Sequence, residues 1–380
     1  FILKILIGLL IVLTFFQVIR LIELSSRLAE NRDQVTDKSN FYNGLLLLLS
    51  GFGLLAFFFW QRAEWGHLTL QAPASEHGVL IDQLWDTTMG LIIVVFLVLQ
   101  PILFGFSYLY RGRKNRKAYF ISHNNKLEIF WTAIPTVVLS VLIVYGLVVW
   151  GDVTDVNNAK GGIQMEVYAK QFGWTIRYAG EDNKLGDGHV RFYAPTNPLG
   201  VVTENMYKLQ SEELESKITS DEEKLLIERN ISKKKSISDR IERNIAKNQM
   251  YKAYYNSISD EEKLAGEDDI VVSELYLPVN KKVAMKFRSQ DVIHSSYMPH
   301  FRAQMNCVPG LSTQFVFTPT MTSEEYKEYL GNPDFDYVLL CNKICGNAHY
   351  NMKMKIVVVT QEEYDIWLKE QAETRMIKNM

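Results

Sequence analysis

Residues 129–151 read IFWTAIPTVVLSVLIVYGLVVWG, and residues 163–178 read IQMEVYAKQFGWTIRY. The first is an uncharged apolar run long enough to cross a bilayer as a helix, which takes about 20 residues. The second sets β-branched and aromatic residues in rough alternation with polar ones, the pattern of a strand. The change at Gly151 therefore divides the chain into a membrane part and a β-rich part. Pro135 lies inside the first run, where it kinks a membrane helix rather than breaking it, because neighbouring helices re-satisfy the freed backbone groups.

Toward the N-terminus lie three more apolar stretches, at 1–19, 43–60 and 89–110. The last two, NGLLLLLSGFGLLAFFFW and MGLIIVVFLVLQPILFGFSYLY, carry no charge, and Pro101 is a kink of the same kind. The first carries Lys4 and reads either as a fourth membrane segment or as a leftover targeting segment; the sequence starts at Phe1, so a leader removed upstream of it is compatible with this reading. The loop RGRKNRKAYFISHNNK at 111–126 holds six Lys or Arg and no acid, whereas 61–88 has Arg62 as its one basic residue. Short basic loops stay on the cytoplasmic side. The helix after this loop must then deliver residues 152–380 to the other side of the membrane.

Beyond Gly151, further strands are expected at 282–289, 313–318, 336–341 and 353–359, separated by Gly, Pro and Asn turns. Short strands of this kind predict an antiparallel sandwich or barrel. The expected fold class is thus membrane helices plus all-β: N-terminal transmembrane helical hairpins followed by an extracytoplasmic β-barrel. The expected organisation is 1–62 as two helices, 85–151 as a helical hairpin anchor, 152–372 as the β-domain and 373–380 as a tail. Residues 205–268 interrupt the β-domain with a run dense in Glu, Lys, Asp and Ser. Ser220-Asp-Glu-Glu223 and Ser259-Asp-Glu-Glu262 each match a capping box, in which Ser bonds a free backbone N–H and Glu reaches back. The insertion therefore reads as a helical, solvated hairpin, and more sharply as a docking surface for a partner. Thr360-Gln-Glu-Glu363 is a third such box, leading an amphipathic helix that should cover the barrel end.

A net charge of −2 over 380 residues, with no basic face interleaved with aromatics, gives no support for nucleic-acid binding, and no nucleic-acid partner is expected. Three cysteines are too few for a disulfide framework. Two of them open the stretch Cys341-Asn-Lys-Ile-Cys345-Gly-Asn-Ala-His349-Tyr-Asn-Met352, which offers two thiolates, an imidazole and a thioether within twelve residues. Soft sulfur ligands favour copper. A hard cation would want oxygen, and zinc seldom takes Met. His294, in Asp291-Val-Ile-His294, follows a strand and can add a second imidazole. Read singly, the two cysteines could instead form a disulfide in an oxidising compartment, and His349 and Met352 could be ordinary surface and core residues. Cys307 reads as a small buried apolar residue.

Together with DVIHS and the Val308-Pro309-Gly310 turn, this C-x3-C-x3-H-x2-M pattern resembles the dinuclear copper domain of the cytochrome c oxidase subunit II family. LEIFWTAIP at 127–135 is similar to the start of that family's last membrane helix, KQFGWTIRY at 170–178 to its aromatic strand, and DDIVVSELYLPVNKKVAMKFRSQDVIHS at 268–295 to its central sheet. The resemblance spans about 85–200 and 268–372; the first two helices and the charged insertion are additions, and the extra helices are expected to pack against a neighbouring membrane subunit.

The resemblance implies a cupredoxin-like barrel holding two copper ions, bridged by Cys341 and Cys345 and completed by His294, His349, Met352 and the backbone carbonyl of Lys343. It implies electrons accepted from a cytochrome c, or a cytochrome c domain, near Phe172 and Trp174. They would pass to haem in subunit I, where oxygen is reduced and protons are pumped. It implies an energy-transducing membrane, the bacterial inner membrane, with the C-terminal domain periplasmic. Glu128 matches a family Glu at the mouth of a proton path; a carboxylate favoured by the helix N-terminus accounts for it equally. Lys343 stands where the family has a Glu that helps hold Mg²⁺, and an ammonium cannot ligate that ion, so the Mg site is not carried over. A quinol oxidase subunit would lack the copper ligands. The copper subunit of another terminal reductase or a membrane-tethered copper carrier are the remaining alternatives, and no C-x-x-C-H haem-attachment motif is present.

Overall fold

The structure is a computed structural model that describes residues 2–28, 37–375 and 377. It divides into two compact units, one formed by 1–69 and 89–133, the other by 70–88 and 134–380. The expected tail at 373–380 falls partly outside the described residues.

In the first unit, α1 (Ile2–Leu28) contains residues 2–19 of the expected segment 1–19, and Phe1 lies outside the described residues. It is followed by α2 (Asp37–Trp65), then α3 (Glu76–Leu109) and α4 (Asn125–Thr154), of which residues 76–88 and 134–154 belong to the second unit. Three stretches are long and apolar enough to cross a membrane among the described residues: Asp37–Leu68, Glu76–Leu109 and Asn125–Thr154. They contain the runs 43–60 and 129–151, and 89–110 up to its last residue, Tyr110, which lies in the turn after the helix. α2 packs antiparallel on α3 through small residues, as helices do where lipid gives them no hydrophobic drive to associate. The α carbon of Tyr108 lies 3.4 Å from where a Gly44 Cβ would be, and a Cβ at Gly51 would overlap the Phe104 ring. At the basic loop, Asp37 Oδ1 accepts from Lys114 N at 2.6 Å and Asn40 Nδ2 donates to Gly112 O at 3.0 Å.

The second unit is a sandwich of two five-stranded sheets. Its strands are β1 (Ile163–Lys170), β2 (Gly173–Tyr178), β3 (Ile270–Val272), β4 (Leu275–Pro278), β5 (Val283–Ser289), β6 (His294–Met298), β7 (Ala303–Cys307), β8 (Thr313–Phe317), β9 (Tyr337–Cys341) and β10 (Lys353–Val359). One sheet runs β3-β2-β1-β5-β8 and the other β4-β10-β9-β6-β7. Met165, Val167, Ile176, Leu277, Phe287, Phe301, Leu339 and Ile356 meet between them. The stretch 163–178 is not one strand but a hairpin, β1 pairing antiparallel with β2 about a turn at Gln171-Phe172. Nor does β1 alternate in burial: Tyr168 packs on Leu199, Val201 and Met206 on the face away from the core. On that face Arg177 NH2 pairs with Glu166 Oε2 at 2.8 Å, its NH1 pairs with Asp269 Oδ2 at 2.6 Å, and Arg288 NH2 donates to Glu166 Oε2 at 3.0 Å.

Residues 70–82, expected only as a loop, are built into this unit. Ala74 N donates to His300 O at 2.7 Å, Thr320 N to Ala74 O at 2.9 Å, and Ser75 bridges Pro319 as an added strand position. Arg302 clamps Asp82 through Nε at 2.7 Å and NH2 at 2.9 Å. This bidentate geometry is the strong form of such a pair.

The insertion comprises α5 (Glu204–Ile227), α6 (Ile231–Ser257) and α7 (Asp260–Ala265). Its roots are apolar: Phe192 stacks on Tyr251 at 4.4 Å and Tyr207 on Tyr255 at 4.4 Å. The box at Ser259 forms and caps α7. The one at Ser220 does not, because α5 starts at Glu204 under a Thr203 cap and runs straight through Ser220; i,i+4 pairs such as Lys208–Glu204 and Lys217–Glu213 support a continuous helix there. α8 (Ser323–Leu330) is short. α9 (Gln361–Arg375) follows its expected box, with Glu363 Oε2 accepting from Thr360 N at 2.9 Å, and lays Trp367 flat on Tyr276 at 4.3 Å.

Candidate metal centre

Two strand ends and one loop bring the sulfur and imidazole groups together. β6 begins at His294 and β9 ends at Cys341; they are neighbours, with Ser296 opposite Cys341. Asn342 N donates to Ser295 O at 2.9 Å and Cys341 N to Met352 O at 3.0 Å, so both ends of the loop 342–352 are pinned to strand backbone. A short 3-10 turn at His349–Asn351 points its first residue back, with Met352 N donating to His349 O at 3.2 Å.

Cys341 Sγ and Cys345 Sγ are 3.8 Å apart and unbonded. His294 Nδ1 lies 3.8 Å from Cys341 Sγ, and His349 Nδ1 lies 3.6 Å from Cys345 Sγ. Met352 Sδ is 3.8 Å from Cys345 Sγ, and Lys343 O is 3.2 Å from Cys341 Sγ. All six groups expected from the sequence are therefore in one place, and the disulfide reading gives way to two free thiols. His294, Cys345 and Met352 are buried, whereas Cys341 and His349 are half-exposed. Burial, then the Cys341 thiol beside it, pushes the Cys345 thiol up to about 11. A bound cation would have to displace that proton, as it does at any thiolate site.

The donor set decides which ion fits. Two thiol sulfurs, two imidazoles and a thioether are soft donors that would suit a soft metal ion, and among the described residues no carboxylate joins the group His294, Cys341 and Cys345 to serve a hard one. Cys307 sits opposite His294 across the β6–β7 pair, fully buried and outside the cluster, its thiol pushed up to about 12 by burial.

The spacing of the motif gave no sign of the residues that hold it in shape. Asp291 Oδ1 lies 2.9 Å from His294 Nε2, and Asp291 Oδ2 accepts from Gln171 N at 2.7 Å. The Gln171 side-chain amide donates to Cys345 O. Phe172 is exposed and its ring covers Gly346, where a Cβ would come within 2.8 Å of the ring carbons. Trp174 is buried, its ring 6.2 Å from the His294 ring. So the tip of the β1–β2 hairpin touches both ligand loops. Glu128 lies in the first turn of α4, exposed. The Lys343 side chain is exposed while its carbonyl faces the cluster.

Residues 63–149 match the family described as cytochrome C oxidase subunit II, transmembrane domain, and residues 247–360 match cytochrome C oxidase subunit II, periplasmic domain. The chain is 26% identical over 330 residues to the alternative cytochrome c oxidase subunit 2 of Bradyrhizobium diazoefficiens, covering 86% of this chain and 91% of the relative. It is also 26% identical to cytochrome c oxidase subunit 2 of Thermostichus vulcanus, covering 80% of this chain and 79% of that one. A crystal structure of the periplasmic domain of subunit II of cytochrome oxidase from Bradyrhizobium japonicum aligns at 16% identity over 57% of this chain and 99% of its own length, with a TM-score of 0.28, too loose a match to add to the fold described above. The chain belongs to the cytochrome c oxidase subunit II family: an oxidoreductase subunit anchored in a membrane, with a cupredoxin-like extracytoplasmic C-terminal domain.

Proposed function

We propose that this chain is the electron-accepting subunit of a respiratory oxidase in a bacterial inner membrane. In this reading two copper ions are held by Cys341, Cys345, His294, His349, Met352 and the carbonyl of Lys343. Copper supplies a one-electron store that cycles with little movement. With copper bound, the site would accept electrons from a cytochrome c type donor and would pass them to haem in subunit I for oxygen reduction coupled to proton pumping. The observation that carries the reading is the convergence of two thiols, two imidazole Nδ1 atoms and a thioether, each within 3.8 Å of a neighbouring sulfur.

What the chain itself contributes is rigidity. The ligands stand on strand ends and a pinned loop, and a buried site of this kind keeps its geometry when charge changes. An exchangeable carrier site would leave its ligands open, whereas His294 and Met352 are at most 1% exposed. Mg²⁺ at a subunit interface is not part of the proposal, since Lys343 offers it no oxygen side chain. Glu128 as the mouth of a proton path rests on its position alone; unchanged turnover and proton uptake in Glu128→Ala would remove it.

The decisive experiment is copper quantification and electron paramagnetic resonance on the full chain. Residues 152–380 alone would be a poor sample, because 70–82 form part of the same unit. Two coppers per chain with a shared-electron hyperfine pattern are expected. A chain purified with copper available that holds none ends the proposal.

A further inference from the structure

We infer that the face around the copper loops receives a donor whose docking surface is apolar at its centre and acidic at its rim; the inference rests on the copper reading above. Ile344 and Tyr350, both within the ligand loop, are 87% and 88% exposed, and Phe172, Val292 and Ile293 lie exposed on the two adjoining loops. Elsewhere on this unit the large exposed apolar side chains stand on the helical insertion, as at Leu226, Ile227 and Ile231, or at separate positions such as Val190, Tyr329 and Ile366, whereas a cluster of them beside half-exposed ligands marks a contact site.

The charges around this cluster have one sign. Lys170, Lys343 and Lys353 are exposed on the hairpin tip, the ligand loop and its exit, and none forms an ion pair among the described residues. Lys355 is used by Asp336 at 2.7 Å. Asn306, Asn342, Asn347 and Asn351 fill the remaining exposed positions with neutral amides. The single acid on these loops, Asp291, is partly exposed, but its carboxylate is engaged: its oxygens accept from Gln171 N at 2.7 Å and Val292 N at 2.7 Å and lie 2.9 Å from His294 Nε2. A partner with a lysine-ringed docking face would meet like charge here. One with carboxylates around an apolar centre would be steered in, with an on-rate that falls as salt screens the field.

The test uses the full-length copper-loaded chain in detergent and two soluble cytochromes c as probes, one strongly acidic and one strongly basic. The dissociation constant of each is measured across ionic strength, alongside the electron-transfer rate. The acidic probe should bind the more tightly at low salt and weaken as salt rises. The double variant Lys170→Glu/Lys353→Glu should weaken it roughly tenfold, with the copper resonance spectrum unchanged. Tighter binding of the basic probe, salt-independent binding of both, or a double variant that loses a co-purifying haem subunit while binding the acidic probe as before would overturn the inference. A chain that holds no copper would instead fail at the earlier step, so the two failures are distinct.

Discussion

His294 Nε2 lies 2.9 Å from Asp291 Oδ1, and this contact turns the ring so that Nδ1 faces Cys341 Sγ. A ligand histidine whose second nitrogen is held by a carboxylate has its tautomer and orientation set before metal arrives. Removing such a partner commonly costs ten- to a hundredfold in metal affinity. Asp291→Ala should therefore lose copper to a competing chelator at roughly that lower concentration, and Asp291→Asn, which keeps one acceptor oxygen, should fall between. Wild-type affinity in Asp291→Ala would reduce the contact to packing.

Gln171 is bonded to both ligand loops at once, through its backbone N–H to Asp291 and its side-chain amide to Cys345 O. The side-chain bond brings the positive end of an N–H dipole near Cys345 and so favours the electron-rich state. Gln171→Ala should shift the oxidation equilibrium about fivefold toward the oxidised form, the scale of one hydrogen bond. For a one-electron couple that is about 40 mV lower in midpoint potential. Potentiometric titration of the full chain reads this directly; an unmoved midpoint with two coppers still bound would show that Cys345 is placed without it.

Much of this architecture was legible in the residues. The uncharged runs and the basic loop at 111–126 marked three of the helices, the soft-ligand spacing from Cys341 to Met352 held five of the donor groups, and the separate stretch around His294 offered the sixth. What stayed hidden was long-range. Asp291, Gln171 and Cys345 are 120 and 174 residues apart in their pairings, and no local pattern encodes them. Residues 70–82 read as loop because their order comes from backbone bonds to 300 and 320 rather than from their own periodicity. Ser220 misled because a capping box is only a local propensity, and a helix already begun at Thr203 overrides it.

Phe172 and Trp174 stand two residues apart on one hairpin but have different surroundings, and so their substitutions should separate. Phe172 is 41% exposed over Gly346, placed to touch a donor. Phe172→Ala should slow reduction by the donor several-fold and leave the copper spectrum alone. Trp174 is 6% exposed in the core against His294. Trp174→Ala should destabilise the domain by about 3–5 kcal/mol and alter the spectrum through His294. Stopped-flow reduction together with thermal unfolding distinguishes the two; equal effects from both would mean the aromatic pair acts as one unit.

The buried charge cluster behind β1 sets an acid limit on the same domain. Burial by itself pushes the Glu166 carboxyl up, but Arg177 and then Arg288 outweigh it and hold the group at about 2, against an ordinary value of 4.5. A carboxyl lowered in the folded state contributes stability that is fully present above its unfolded value. That stability is lost as pH falls from about 4.5 to about 2. The difference corresponds to about 3 kcal/mol. Burial pushes the neighbouring Asp269 the other way, to about 7, despite its pair with Arg177, and the Glu166 charge adds to that rise, so Glu166→Gln eases Asp269 as well; that titration acts between its ordinary value of 3.8 and about 7, above most of the window in which Glu166 acts. Glu166→Gln should be less stable at neutral pH, since Arg288 then loses its carboxylate partner and Arg177 keeps only Asp269. Its stability should also decline less steeply than the parent's below pH 4.5. Denaturant unfolding of both chains from pH 7 to pH 3 gives the two slopes; parallel slopes would mean that Glu166 is not the group whose protonation loosens the domain in acid.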